Sequence, residues 1–176
     1  TEKRFPTVTT NNAPLRETIG YGRYDFGNTG NSSLFSATDK LYLYNYFYMR
    51  RSYTAARSLF ETIGGWLTSA ASNVSGKVVF CDVSYECGAS GLAFIDMIQR
   101  RMPHSDVMYA GIYPTEEMDR MAYNFFSSEP YSKVSSCFYP RIEAIQTEFW
   151  KAHSVLSELI IFNMSNLFDR IQPIEA

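Results

Sequence analysis

The chain reads as an α/β domain with a mainly parallel sheet in a three-layer sandwich. Three observations predict it. Apolar runs of strand length alternate with segments of helical period, the pattern of βα units. The run Val78-Val-Phe-Cys81 is apolar without interruption, as a central strand covered on both faces requires. Clusters of Gly, Asn, Ser and Pro separate the segments and supply the turns.

Residues 1–35 are read as an N-terminal arm, and residues 36–176 as the folded domain. The arm is rich in Thr, Asn, Gly and Ser and has no sustained period. Turns are expected at Asn11-Asn12 and at 27–30, with Tyr21, Tyr24 and Phe26 as anchors. Ser36 is the expected cap of a first helix, with Asp39 at the positive end of its dipole. The segment 37–60 carries Leu41, Tyr44, Tyr48, Ala55 and Leu59 at helical spacing. Gly64-Gly65 is expected to interrupt it, leaving a short second helix from Trp66 to Ala71.

After a turn at 73–76, a strand is expected over 77–82 and a helix over 90–101, closed by Pro103. A second strand follows over 107–112. Pro114-Thr-Glu-Glu117 opens the next helix with acids in its first turn, and that helix reaches Phe126. Further strands are expected over 133–138 and 156–162, with helices over 142–153 and 166–170.

Composition bounds the function. With 176 residues the chain is one domain by length. A net charge of -2 gives no electrostatic case for nucleic acid, which usually meets a basic face. No apolar run approaches the roughly 20 residues that span a bilayer, so no membrane association is expected. The N-terminus lacks the apolar segment of a signal peptide. Three cysteines form no framework spacing, which favours a reducing compartment and a cytoplasmic location.

The segment Asp82-Val-Ser-Tyr-Glu-Cys-Gly88 carries the most information. It joins a strand to a helix through a tight turn, the place where a Rossmann-like fold holds a nucleotide cofactor. It resembles the first motif of class I S-adenosylmethionine-dependent methyltransferases, whose pattern is Asp-x-Gly-x-Gly-x-Gly. Asp82 takes the acidic position and Gly88 the third glycine. Ser84 and Glu86 stand where the first two glycines belong. The stretch Gly111-Ile-Tyr-Pro-Thr-Glu-Glu-Met118 is similar to the family's segment after the second strand, where an acid grips the cofactor ribose. Tyr113 replaces that acid here.

The resemblance covers roughly residues 36–170. It implies a Rossmann-like fold, abbreviated relative to a full methyltransferase, because the chain stops soon after a fourth strand. It implies S-adenosylmethionine as cofactor, with Asp82, Ser84, Glu86, Gly88 and Tyr113 as its contacts. The departures predict weak binding. A Glu86 carboxylate repels the carboxylate of the cofactor, and Tyr113 cannot take two ribose hydroxyls as a carboxylate does. In the family the helix before the first motif often closes over the cofactor, which points to Tyr44, Tyr46 or Tyr48; Tyr46 is the candidate for substrate binding. Asn163, in Phe162-Asn-Met-Ser165 at a strand end, falls where the family places substrate-facing residues. Capping the next helix through Asn163 and Ser165 is its alternative role.

Other constellations carry less. Cys87 near a helix start has no matching histidine, since His104 and His153 fall in no nucleophile pattern. No zinc spacing appears. The tyrosines of 42–48, followed by Arg50-Arg51, either stack bases or pack on the sheet. Two functions stay open. One is a methyltransferase-like structural or regulatory subunit that has lost cofactor chemistry. The other is an active enzyme with a divergent site, for which alignment of the reactants suffices. A short sheet leaves an edge strand, so a homo-oligomer or a larger complex is expected.

Overall fold

The structure, a computed structural model, describes residues 35–74, 77–83, 88–112, 115–140, 143, 148–152 and 158–164. The arm apart from Phe35, and the helical piece expected over 166–170, lie outside the described residues.

Four parallel strands form one sheet in the order β3-β2-β1-β4: β1 Val78–Val83, β2 Val107–Ile112, β3 Ser135–Tyr139 and β4 Leu159–Asn163. The chain winds from β1 outward to β3, then returns to place β4 on the other side of β1. The β1–β4 boundary is therefore the topological switch point, where open α/β sheets form their crevice. β1 is buried along its whole length and β4 is half-buried throughout. The fold is a small Rossmann-like α/β sandwich, as the alternation of apolar runs predicts.

Helix α1, Ala37–Tyr44, begins where the sequence places it. Ser36 Oγ accepts from the Asp39 N–H at 3.2 Å, and Asp39 Oδ2 accepts from the Ser36 N–H at 3.1 Å. Such a reciprocal cap is worth about 1 kcal/mol. A π-helical turn, Asn45–Met49, then leads without a break into α2, Arg50–Ser72.

That turn changes the phase of everything after it. A π turn inserts one extra residue, so the buried stripe moves on by one position. Ala55 and Leu59, which the sequence sets at helical spacing with Leu41 and Tyr44, are both exposed. The buried residues are instead Phe60, Gly64, Leu67 and Ala71, with Ala56 half-buried.

The expected break at Gly64-Gly65 does not occur, and Trp66 to Ala71 continues the same helix. Each glycine costs about 1 kcal/mol in a helix interior. Burial of Phe60 and Leu67 on either side offsets that cost. Gly64 also makes room for α3, Ala89–Arg101, because a Cβ there would lie 2.8 Å from Arg101 Nε.

Helix α4, Glu116–Ser127, starts behind Thr115, whose Oγ1 accepts from the Met118 N–H at 3.3 Å. Most of the helix expected over 142–153 lies outside the described residues. Glu143 sits in a turn, and the α-helical part among the described residues is α5, Trp150–Ala152. β3 and β4 each begin two or three residues later than expected, and β4 takes in Asn163.

Alternate residues of β1 divide the core. Val78 and Phe80 face α2, α3 and α4, in a cluster with Phe60, Phe94, Tyr109 and Phe126. Phe80 stacks on Phe94 with ring centroids 4.4 Å apart, and Tyr109 on Phe126 at 4.1 Å. Pairs of this kind add about 0.5–1.5 kcal/mol beyond their burial. Val79, Cys81 and Val83 face the other way, onto Ile112, Tyr139 and Phe149. The high aromatic content of the sequence is spent largely on these two layers.

Candidate functional site

The candidate site is the buried carboxyl at the end of β1. Asp82 shares the sheet face of Phe80 and is 1% exposed. A charged group so placed needs partners, and the neighbouring strands supply them. Register pairs Asp82 with Asn163 on β4 and with Gly111 on β2. Asn163 Nδ2 donates to Asp82 Oδ1 at 2.8 Å. Tyr109 Oη donates to Asp82 Oδ2 at 3.3 Å. The backbone N–H of Gly91, in the first turn of α3, donates as well.

Burial dominates these three donors and pushes the Asp82 carboxyl up to about 7, against their opposing pull. The acid is therefore poised to carry or release a proton near neutrality. Its contacts are nonetheless all internal, and they tie β1 to β2, β4 and the start of α3.

The glycines of the turn serve the same packing. Gly88 lies at the N-terminus of α3 with φ at 78°, a left-handed conformation that side chains other than glycine adopt with strain. A Cβ on Gly88 would sit 2.8 Å from a Phe126 ring carbon. One on Gly91 would sit 2.2 Å from Tyr109 Cε2. Close approach at these two positions is to the protein's own Tyr109–Phe126 stack.

Of the residues singled out from sequence, Asp82 and Asn163 meet directly, and Gly88 starts the helix whose first turn bonds Asp82. Asn163 ends a strand and donates its amide to the carboxyl, while the helix it was weighed to cap lies outside the described residues. Ser84, Glu86 and Tyr113 lie outside the described residues, as does Cys87. Tyr46 is 62% exposed in the π turn, with its ring edge-on to Phe47. Tyr44 and Tyr48 stack on each other at 5.4 Å, and Tyr44 is buried, so these two take the packing role.

Tyr109 and Gly91 were not singled out. The available signal was a tyrosine inside an apolar strand, whose hydroxyl must find a partner when buried. Burial raises both the Cys81 and Cys137 thiols, the opposite of an activated nucleophile. Among the described residues no cluster of metal-ligating side chains occurs. No helix among them is long and apolar enough to cross a membrane.

A separate cavity of about 320 Å³ opens between α1 and α4, lined by Leu41, Tyr42, Asn45, Arg120, Met121 and Phe125 among others. Asn45 contacts Met121 Sδ through its amide nitrogen, while its Oδ1 is buried without a partner among the described residues.

Fold and site together define a Rossmann-like domain with a protonatable acid locked at its switch point. No family model, curated protein or solved structure matches this chain.

Proposed function

We propose that this chain is a methyltransferase-like domain whose cofactor site has been given over to internal packing, and that it works as a non-catalytic structural or regulatory subunit. The observation that carries the reading is the state of Asp82. The acid in the position of the cofactor motif is 1% exposed and bonded to Asn163, Tyr109 and Gly91. A cofactor would have to displace those bonds, leaving buried donors unpaired at about 1–3 kcal/mol each. Glu86 and Tyr113, read from the sequence, add charge repulsion and the loss of a ribose acceptor.

A second reading keeps a specific observation on its side. Gly88 in its left-handed conformation at a helix start, beside the switch point, is the geometry that receives a nucleotide in this class of fold. On that reading the domain is an active S-adenosylmethionine-dependent enzyme with a divergent site.

Calorimetric titration with S-adenosylmethionine and S-adenosylhomocysteine separates the two. Absence of heat at millimolar ligand supports the subunit reading, and micromolar binding would sink it. The subunit reading carries with it a homo-oligomer or a larger complex. The free thiols Cys81 and Cys137 fit a cytoplasmic setting.

A further inference from the structure

The cavity of about 320 Å³ between α1 and α4 lies near the lower end for small-molecule sites, with room for a single ring and a short tail. Leu41 and Met121 are buried and Phe125 is half-buried, so its inner wall is apolar.

One polar atom interrupts that wall. Asn45 opens the π turn, a device that recurs at functional sites. Its amide nitrogen is taken up by Met121 Sδ, and its Oδ1 is buried with no partner among the described residues. A buried amide oxygen calls for an N–H or O–H donor. An ammonium is a poor match, since it would give up its water for one neutral partner. A ring hydroxyl or ring N–H matches better, because the ring itself covers the apolar wall.

The outer end of the cavity carries charge. Arg120 is exposed and donates to Thr38 Oγ1 at 3.1 Å, which brings its guanidinium to the first turn of α1. Glu117 stands one turn before it on α4 and lines the same cavity. Among the described residues neither joins an ion pair. Both charges therefore remain for a ligand that carries the opposite two. Thr38 and Asn45 are roughly 10 Å apart along the helix at its usual rise. A carboxylate on Arg120 and a ring hydroxyl on Asn45 span that distance through one aromatic ring.

We propose that the cavity between α1 and α4 binds an aromatic amino acid that carries a ring hydroxyl or N–H, tyrosine among them. Its carboxylate pairs with Arg120, its ammonium with Glu117, and its ring donor bonds to Asn45 Oδ1. Asp82, Gly88 and Asn163 do not line this cavity, so the inference stands apart from the cofactor question.

Calorimetric titration of the full chain with L-tyrosine, L-phenylalanine and tyramine tests it. L-tyrosine is expected to bind at sub-millimolar concentration. L-phenylalanine should bind at least about tenfold more weakly, because its ring covers Asn45 Oδ1 and leaves it unpaired. Tyramine lacks the carboxylate and should be weakened to a similar degree. Arg120→Gln should cost L-tyrosine at least about tenfold and leave tyramine unchanged. Arg120 is exposed, so the melt of this variant without ligand should match the parent within a few degrees. Any binding of S-adenosylhomocysteine at the switch point should be untouched by Arg120→Gln, which keeps the two sites distinguishable. No heat with L-tyrosine at millimolar concentration overturns the inference. So does equal affinity for L-tyrosine and L-phenylalanine, or L-tyrosine binding that Arg120→Gln leaves unchanged.

Discussion

Asn163 donates its side-chain amide to the Asp82 carboxyl at 2.8 Å, straight across the β1–β4 boundary. The bond joins the two strands at the point where the sheet reverses its winding. The carboxyl it holds is buried and protonates near neutrality. Predictions follow from that arrangement and from the glycines around it.

The first concerns pH. The folded protein holds the Asp82 proton up to about pH 7, whereas the unfolded chain loses it near 3.8. The folded state binds the extra proton across that window, so this group makes stability fall as pH rises from about 4 to about 7. The full effect is on the order of 4 kcal/mol as an upper bound. Asp82→Asn keeps the shape and removes the titration. Urea unfolding at several pH values should give the variant a flatter profile, and above neutrality it should exceed the parent in stability. An unchanged pH slope would mean that Asp82 does not titrate as described.

Asn163→Leu removes one of the three donors. The carboxyl then loses a bond that favours its charged form, so its proton should be held to still higher pH. The expected cost is about 1–3 kcal/mol, largest on the alkaline side. A cost independent of pH would contradict a direct link between the two side chains.

The two glycine positions with opposite surroundings should respond with opposite sign. Gly91→Ala drives a methyl to 2.2 Å from Tyr109 Cε2, and overpacking of this kind costs about 1–3 kcal/mol. Gly65→Ala meets nothing within 4 Å on an exposed turn of α2 and should stabilise by up to about 1 kcal/mol. Thermal melts of the two single variants check both. A stable Gly91→Ala protein would mean that the Tyr109–Phe126 stack can move aside.

Glu86→Gly combined with Tyr113→Asp returns the two sequence positions to the methyltransferase pattern. On the proposed reading the double variant should gain affinity for S-adenosylhomocysteine over the parent by calorimetry. No gain would mean that internal packing at Asp82 alone closes the site.

Much of this fold was legible in the sequence, because alternating apolar runs and helical spacings are local signals. The Ser36–Asp39 cap, the start of α4 behind Pro114 and the buried β1 each follow from a few adjacent residues. The course of α2 did not. Gly64-Gly65 reads as a break until the packing of α2 on α3 is known, and nothing local announces the extra residue of the π turn. One inserted residue was enough to exchange Leu59 for Phe60 in the core. Of the site, Asp82, Gly88 and Asn163 were legible from their places at strand and helix ends. Tyr109 and Gly91 were not, since their roles depend on the strand register that sets Tyr109 beside Phe80 and on the approach of α3 to β2.

The most direct measurement is a carbon-13 NMR titration of the Asp82 carboxyl, with and without millimolar S-adenosylhomocysteine. The expected midpoint lies near 7 and the ligand leaves it unmoved. A midpoint in the ordinary carboxylate range, or one that shifts when the ligand is added, would contradict it.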